Sequence, residues 1–166
     1  MKILTAIYGA FRDREGYRDY FDLVFTDRSL IIVWLGAVPV TYLKRAPLPR
    51  TVELHLLRVT KEKMRRVAER SVNELLKSCS STRCKEIPYT EIALISLKEI
   101  EVPIPPILRK PPSDPRERPK YTQQVLEIAI YLGGNKVERF YTTPRLKKML
   151  KQLLKDLMLV VPGLEV

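Results

Sequence analysis

A chain of 166 residues is long enough to bury roughly 70% of the surface its unfolded form exposes, which predicts one domain over 1–166 without a disulfide scaffold. The longest apolar run, 30–40, is broken by Gly36 and Pro39 and falls short of the roughly 20 residues of a membrane-spanning helix; MKILTAIYGAF lacks the pattern of a secretory signal, so a cytoplasmic protein is expected, with peripheral attachment to a membrane left open. Thirty Lys and Arg against 19 Asp and Glu give a formal charge of +11, which favours a polyanionic partner, although the same charge richness with 13 prolines also fits a thermophile-like composition.

In chain order, Ile3, Thr5 and Ile7 alternate with Leu4 and Ala6, which predicts a first strand from Lys2 to Tyr8, followed by Gly9. Residues 11–19 carry Arg12, Asp13, Arg14, Glu15, Arg18 and Asp19 around Gly16; the charges largely cancel and the stretch reads as a polar loop. Tyr20 to Leu35 reads as a β-hairpin on which later segments dock. Phe21, Leu23 and Phe25 alternate with Asp22 and Val24, and Leu30 to Leu35 is apolar throughout, as in a strand covered on both faces. Asp27 is expected to support the intervening turn through its short side chain.

Pro39, Pro47 and Pro49, with Lys44, Arg45 and Arg50, mark an exposed connection. Residues 51–59 fit a strand or a helix. From Thr60, an N-cap, Met64, Val67, Ala68, Val72, Leu75 and Cys79 recur at three- and four-residue steps, which predicts an inserted amphipathic helix over 60–79. Residues 86–102 return to β character, with Pro88 favouring an extended approach at Ile87. Residues 103–120 hold seven prolines and read as an extended, basic, Pro-rich arm. Val125 to Leu132 and Val137 to Tyr141 flank Gly133-Gly134-Asn135, a hairpin signal. Thr143-Pro144 opens a C-terminal helix over 143–160 with an apolar stripe at Leu146, Met149, Leu150, Leu153 and Leu157.

This order predicts an α+β fold, a strongly bent antiparallel sheet covered by a terminal helix. The strings FTDRSLIIVWL at 25–35, AERSVNELLKS at 68–78 and EIPYTEIALISLKE at 86–99, with the last hairpin and helix, resemble prokaryotic pleckstrin-homology-like (PH-like) domains of unknown function. Ile87, Pro88, Tyr89 and Ile92 match the Ile-Pro-Tyr-x-x-Ile approach to a strand in those domains. The resemblance implies a partly open seven-stranded barrel capped by the C-terminal helix. Such scaffolds bind phosphoinositides, peptides or proteins, so the resemblance leaves the ligand open. The 60–79 insertion and the proline arm depart from a plain PH-like pattern.

No GxSxG, P-loop, GxGxxG or HExxH pattern occurs, and the chain reads as non-catalytic, without cofactor or metal site. A single His55 with Cys79 and Cys84 cannot supply four zinc ligands; the cysteines fit a local disulfide or two reduced thiols. Glu99 and Glu101 read as an exposed strand edge. Lys2, Arg12 and Arg14 loosely fit the Lys-xn-Arg-x-Arg pattern of phosphoinositide-binding PH domains, but Asp13, Glu15 and Asp19 would repel phosphates.

Two basic features stand out. Lys147, Lys151 and Lys155 repeat at four-residue steps with Lys148 beside them. Like charges so spaced cost a helix roughly 0.2–0.5 kcal/mol per pair, partly offset by the helix dipole. The arm carries Arg109, Lys110, Arg116, Arg118 and Lys120 against Asp114 and Glu117, with Tyr121 as its one neighbouring aromatic. The favoured reading is a binding or assembly module that recognises a protein or an acidic surface, membrane lipid included, by a sheet edge or groove assisted by these bases. The alternative is a basic nucleic-acid-binding protein using the 109–120 arm and the C-terminal lysine face, recognisable by steep salt dependence. Self-association is compatible with either.

Overall fold

A computed structural model describes residues 1–39, 84–105, 109, 112–118, 120–161, 163 and 165. Seven antiparallel strands form one sheet: β1 (Ile3–Arg14), β2 (Tyr17–Thr26), β3 (Ser29–Pro39), β4 (Cys84–Pro88), β5 (Ile92–Pro103), β6 (Thr122–Leu132) and β7 (Lys136–Thr142). Their order across the sheet is β4-β3-β2-β1-β7-β6-β5. The sheet curls strongly into a half-barrel, and the seam between β1 and β7 is a single pair, Phe11 opposite Tyr141. Helix α1 (Lys147–Val160) follows β7 after a 3-10 turn over Pro144–Leu146.

The first hairpin is longer than its apolar residues suggest. Positions 11–19 do not form a polar loop: β1 continues to Arg14 and β2 begins at Tyr17. The charges that read as loop-like are paired across the strands. Arg18 lies opposite Asp13 and bonds it at 2.7 Å, while Arg14 bonds Asp19. The buried Arg18 guanidinium also lies 3.9 Å from the centre of the Phe11 ring, so an exposed-looking charge is packed on an aromatic face.

Strand β1 passes through Gly9 instead of stopping there. Ile7 pairs with Leu23 and Ala10 with Phe21, so Tyr8 and Gly9 together oppose Asp22 in a bulge. Gly9 has φ 67°, a conformation that strains an L side chain, and its N–H donates to Asp22 Oδ1 at 3.0 Å instead of joining the ladder.

Phe21, Leu23 and Phe25 of β2 point into the core, as their alternation predicts, and Leu30 and Ile32 of β3 join them. Asp22, Val24 and Ile31 on the opposite face are buried too. The turn between these strands is held by Thr26, whose Oγ1 accepts from the N–H groups of Arg28 (3.2 Å) and Ser29 (2.9 Å). Asp27, expected to bond its own turn, accepts from the Lys2 N–H at 2.8 Å and also from its own backbone N–H, which hold its carboxyl below the usual range. Ser29 Oγ donates to Glu86 Oε1 at 2.6 Å, and buried Tyr89 donates its hydroxyl to the Thr26 carbonyl at 2.9 Å. These bonds tie the β2–β3 turn to the 3-10 corner at Tyr89–Glu91, which divides the 86–102 stretch into β4 and β5.

Gly134 (φ 75°) and Asn135 (φ 59°) provide the left-handed backbone of the β6–β7 turn where the sequence places it. In α1 the core positions are Leu150, Leu154 and Leu157, with Leu146 and Leu153 partly buried beside them. Met149, expected in the stripe, is 39% exposed, and Leu154 occupies the core in its place. Thr143 makes no side-chain cap; its carbonyl accepts from the Leu146 N–H to form the 3-10 turn. The expected helix at 60–79, the ambiguous 51–59 stretch, His55, Cys79 and Lys110 lie outside the described residues.

Candidate binding surface

Helix α1 has two unlike flanks because its apolar stripe is fixed against the sheet. Lys147, Lys151 and Lys155 follow one another at successive turns, with Lys148 adjacent, on the flank beside β5. Lys147 Nζ lies 2.6 Å from Glu99 Oε1 on β5, which settles which way the flank faces. Lys148, Lys151 and Lys155 are exposed and form no ion pair among the described residues. Met149 belongs to the other flank, its Sδ 3.9 Å from the Thr5 hydroxyl, and Asp156, about two helical turns on from Met149, shares that side and accepts from Gln152 at 2.9 Å. The lysine flank therefore carries charge of one sign.

The last turn of α1 adds an apolar end. Leu157 is buried, but Met158, Leu159 and Val160 are 44%, 86% and 68% exposed. Fraying does not account for that exposure. The Val161 N–H closes onto the Leu157 carbonyl at 2.8 Å, and beyond it Glu165 bonds the free edge of β5 on both sides, to Ala93 O at 3.2 Å and from Ile95 N at 3.0 Å. The run Met158-Leu159-Val160 was a missed signal: a helix that buries Leu150, Leu154 and Leu157 on one stripe cannot also bury three successive apolar residues.

The sequence's other basic feature is placed elsewhere. The arm joins β5 to β6 and is anchored at its base, where Ile104 N bonds Tyr121 O at 2.7 Å, Arg109 Nε bonds Ile104 O at 2.9 Å, and the Arg109 guanidinium covers the Tyr121 ring at 4.8 Å. Asp114 organises a turn by accepting from Arg116 N at 2.8 Å and, through its carbonyl, from Glu117 N at 3.0 Å. Arg109, Arg116, Arg118 and Lys120 are all exposed. Pro103, where the arm begins, is four residues past Glu99, about 13 Å along the strand. Glu101 accepts from the Thr122 hydroxyl at 2.5 Å, so Glu99 and Glu101 serve different partners.

A second cluster was not legible in the sequence. Arg12 and Lys85 both bond Glu138, at 2.7 and 3.0 Å, joining β7 to its neighbour β1 and to β4, which is not its neighbour in the sheet. Burial pushes the Glu138 carboxyl up, but the hydrogen bonds and charges of Lys85 and Arg12 outweigh it and hold the pKa below its ordinary value. Arg12 lies 5.0 Å from the Phe21 ring centre and 5.5 Å from that of Phe140, and these three residues with Lys85 and Glu138 border a cleft of about 160 Å³ that also includes Trp34 and Cys84. The arginine once aligned with a phosphate-binding pattern is thus engaged with a carboxylate, and Arg14 is engaged with Asp19. A larger opening of about 580 Å³ lies at the Tyr89–Glu91 corner, where Lys85 and Lys136 are balanced by Glu86 and Glu91.

Cys84 is disulfide-bonded. Among the described residues no group of three or more His, Cys, Asp or Glu side chains is arranged to hold a metal ion, and no helix is long and apolar enough to cross a membrane. Comparison with protein-family models, curated proteins and solved structures finds no match.

Proposed function

We propose that this chain is a PH-like, non-catalytic binding module that recognises an acidic surface through the lysine flank of α1. The family assignment is supported by the two antiparallel meanders, β1–β4 and β5–β7, joined through β1 and β7 into one curled sheet with a C-terminal helix. The observation that carries the functional reading is the one-sided charge of the helix. Three lysines stand exposed on a flank whose orientation is fixed by the Lys147–Glu99 bridge, while the helix's own acid, Asp156, lies on the other side. Cations held together at this spacing repel one another, and an acidic partner relieves that repulsion while gaining the attraction of all three.

The test is a titration of a labelled poly-glutamate peptide followed by fluorescence anisotropy. K148E/K151E/K155E is expected to weaken binding by about tenfold or more, whereas R116E/R118E/K120E, an equal change of net charge on the arm, has a much smaller effect. Equal losses in the two variants would reduce the flank to a share of the overall charge. A labelled single-stranded nucleic acid that binds wild type and is lost with the arm variant alone would favour the nucleic-acid alternative.

A further inference from the structure

We infer that the acidic surface recognised by α1 is an anionic lipid bilayer, with Leu159 and Val160 inserted at the boundary between headgroups and acyl chains. This inference rests on the functional reading above and deepens it. Leu159, at 86% exposure, is the most exposed of the large apolar residues on the described surface, and Val160 follows it at 68%. They form a protrusion, and the bonds of Val161 and Glu165 fix it in place. A protein partner would need a pocket shaped to receive that protrusion. A bilayer accepts a convex apolar tip without one, because its headgroups move aside.

Charge complementarity selects the kind of bilayer. Lys148, Lys151 and Lys155 lie within the three turns preceding Leu159, on flexible stems that allow each ammonium to reach the phosphate level while the apolar end goes deeper. Apolar residues and lysines on one amphipathic helix match the layered chemistry of an anionic interface: charge outside, hydrocarbon beneath. Met149, nearly three turns before the tip and turned toward Thr5 of β1, would stay out of the lipid. Attachment of this kind is peripheral and reversible.

Sedimentation with vesicles tests the inference on the full chain. Binding to vesicles of phosphatidylcholine and phosphatidylserine in equal parts is expected to exceed binding to pure phosphatidylcholine by about tenfold or more. L159E/V160E and K148E/K151E/K155E should each reduce partitioning into the mixed vesicles by about tenfold. All five positions are exposed, so both variants should keep the wild-type circular dichroism spectrum. In a separate variant, Leu159→Trp, an emission blue shift on vesicle addition, absent from the wild-type control, reports insertion.

Failure of the lipid inference is distinguishable from failure of the functional reading. Poly-glutamate binding that depends on the lysine flank, with no vesicle binding, overturns the bilayer and leaves the acidic-surface reading intact. Loss of flank dependence for both probes overturns both. A dimer seen by light scattering without lipid and abolished by L159E/V160E would assign the apolar tip to a second copy of this chain, and vesicle binding with unshifted Leu159→Trp emission would remove insertion.

Discussion

Asp22 is the least comfortable side chain among the described residues. Its Oδ1 accepts from the Gly9 N–H, but Oδ2 is buried without a partner, and burial raises the carboxyl to about 6 against the pull of that single hydrogen bond. A carboxyl whose folded pKa exceeds its unfolded value stabilises the fold fully below the unfolded pKa and loses that contribution as pH rises through the folded one. The window runs from about 4 to just above 6, and the full shift corresponds to at most about 3 kcal/mol. Asp22→Asn removes the ionisation while keeping the shape. Relative to wild type, it should gain about 2 kcal/mol of stability between pH 4 and pH 8, measured by urea denaturation at each pH. A wild-type-to-variant difference that stays constant across that range would show that Asp22 is ionised throughout. The pattern Phe21-Asp22-Leu23 shows Asp22 as an outward polar residue of a strand; that its face is closed depends on tertiary packing, which alternation does not encode.

At the scale of elements, what the sequence made legible is governed by local chemistry. The Gly133–Asn135 turn, the Phe21/Leu23/Phe25 face and the existence of the last helix were all readable, because each follows from backbone preference or periodicity within a few residues. The extension of β1 and β2 was hidden by charge. Arg12, Asp13 and Arg14 look solvated until they are set against Arg18 and Asp19 across Gly16, where opposite signs meet in antiparallel register. One member of the expected α1 stripe differs for another reason. A stripe through Met149 and one through Leu154 are both acceptable to the helix, and the site where it lands on the sheet decides between them. Leu154→Ala should therefore cost about 2–5 kcal/mol by opening a cavity, whereas Met149→Ala should cost under about 1 kcal/mol, both read from thermal or urea unfolding. Comparable costs at the two positions would return Met149 to the core.

Across the whole molecule, the half-barrel joins local order to a long-range staple. Glu138 on β7 holds Arg12 on β1 and Lys85 on β4, positions 126 and 53 residues away along the chain, which is why no motif announced them. Its depressed pKa makes this contribution present above the ordinary carboxylate pKa and lost as pH falls through the folded value. Glu138→Gln should accordingly cost about 1 kcal/mol at pH 7, with the difference from wild type shrinking as pH falls below the ordinary carboxylate pKa in thermal unfolding. A deficit that persists in acid would assign the loss to packing instead of charge. The curled sheet and its staple place α1 along one side, with its lysines outward and its apolar end exposed. In the proposed reading the net charge favours an acidic partner, and the landing of the helix is what gathers part of that charge on one flank. Amide NMR of the full chain during poly-glutamate titration addresses this directly: the account predicts chemical-shift changes concentrated on Lys147–Val160, and changes confined to the 109–120 arm or to the Arg12–Lys85–Glu138 cleft would contradict it.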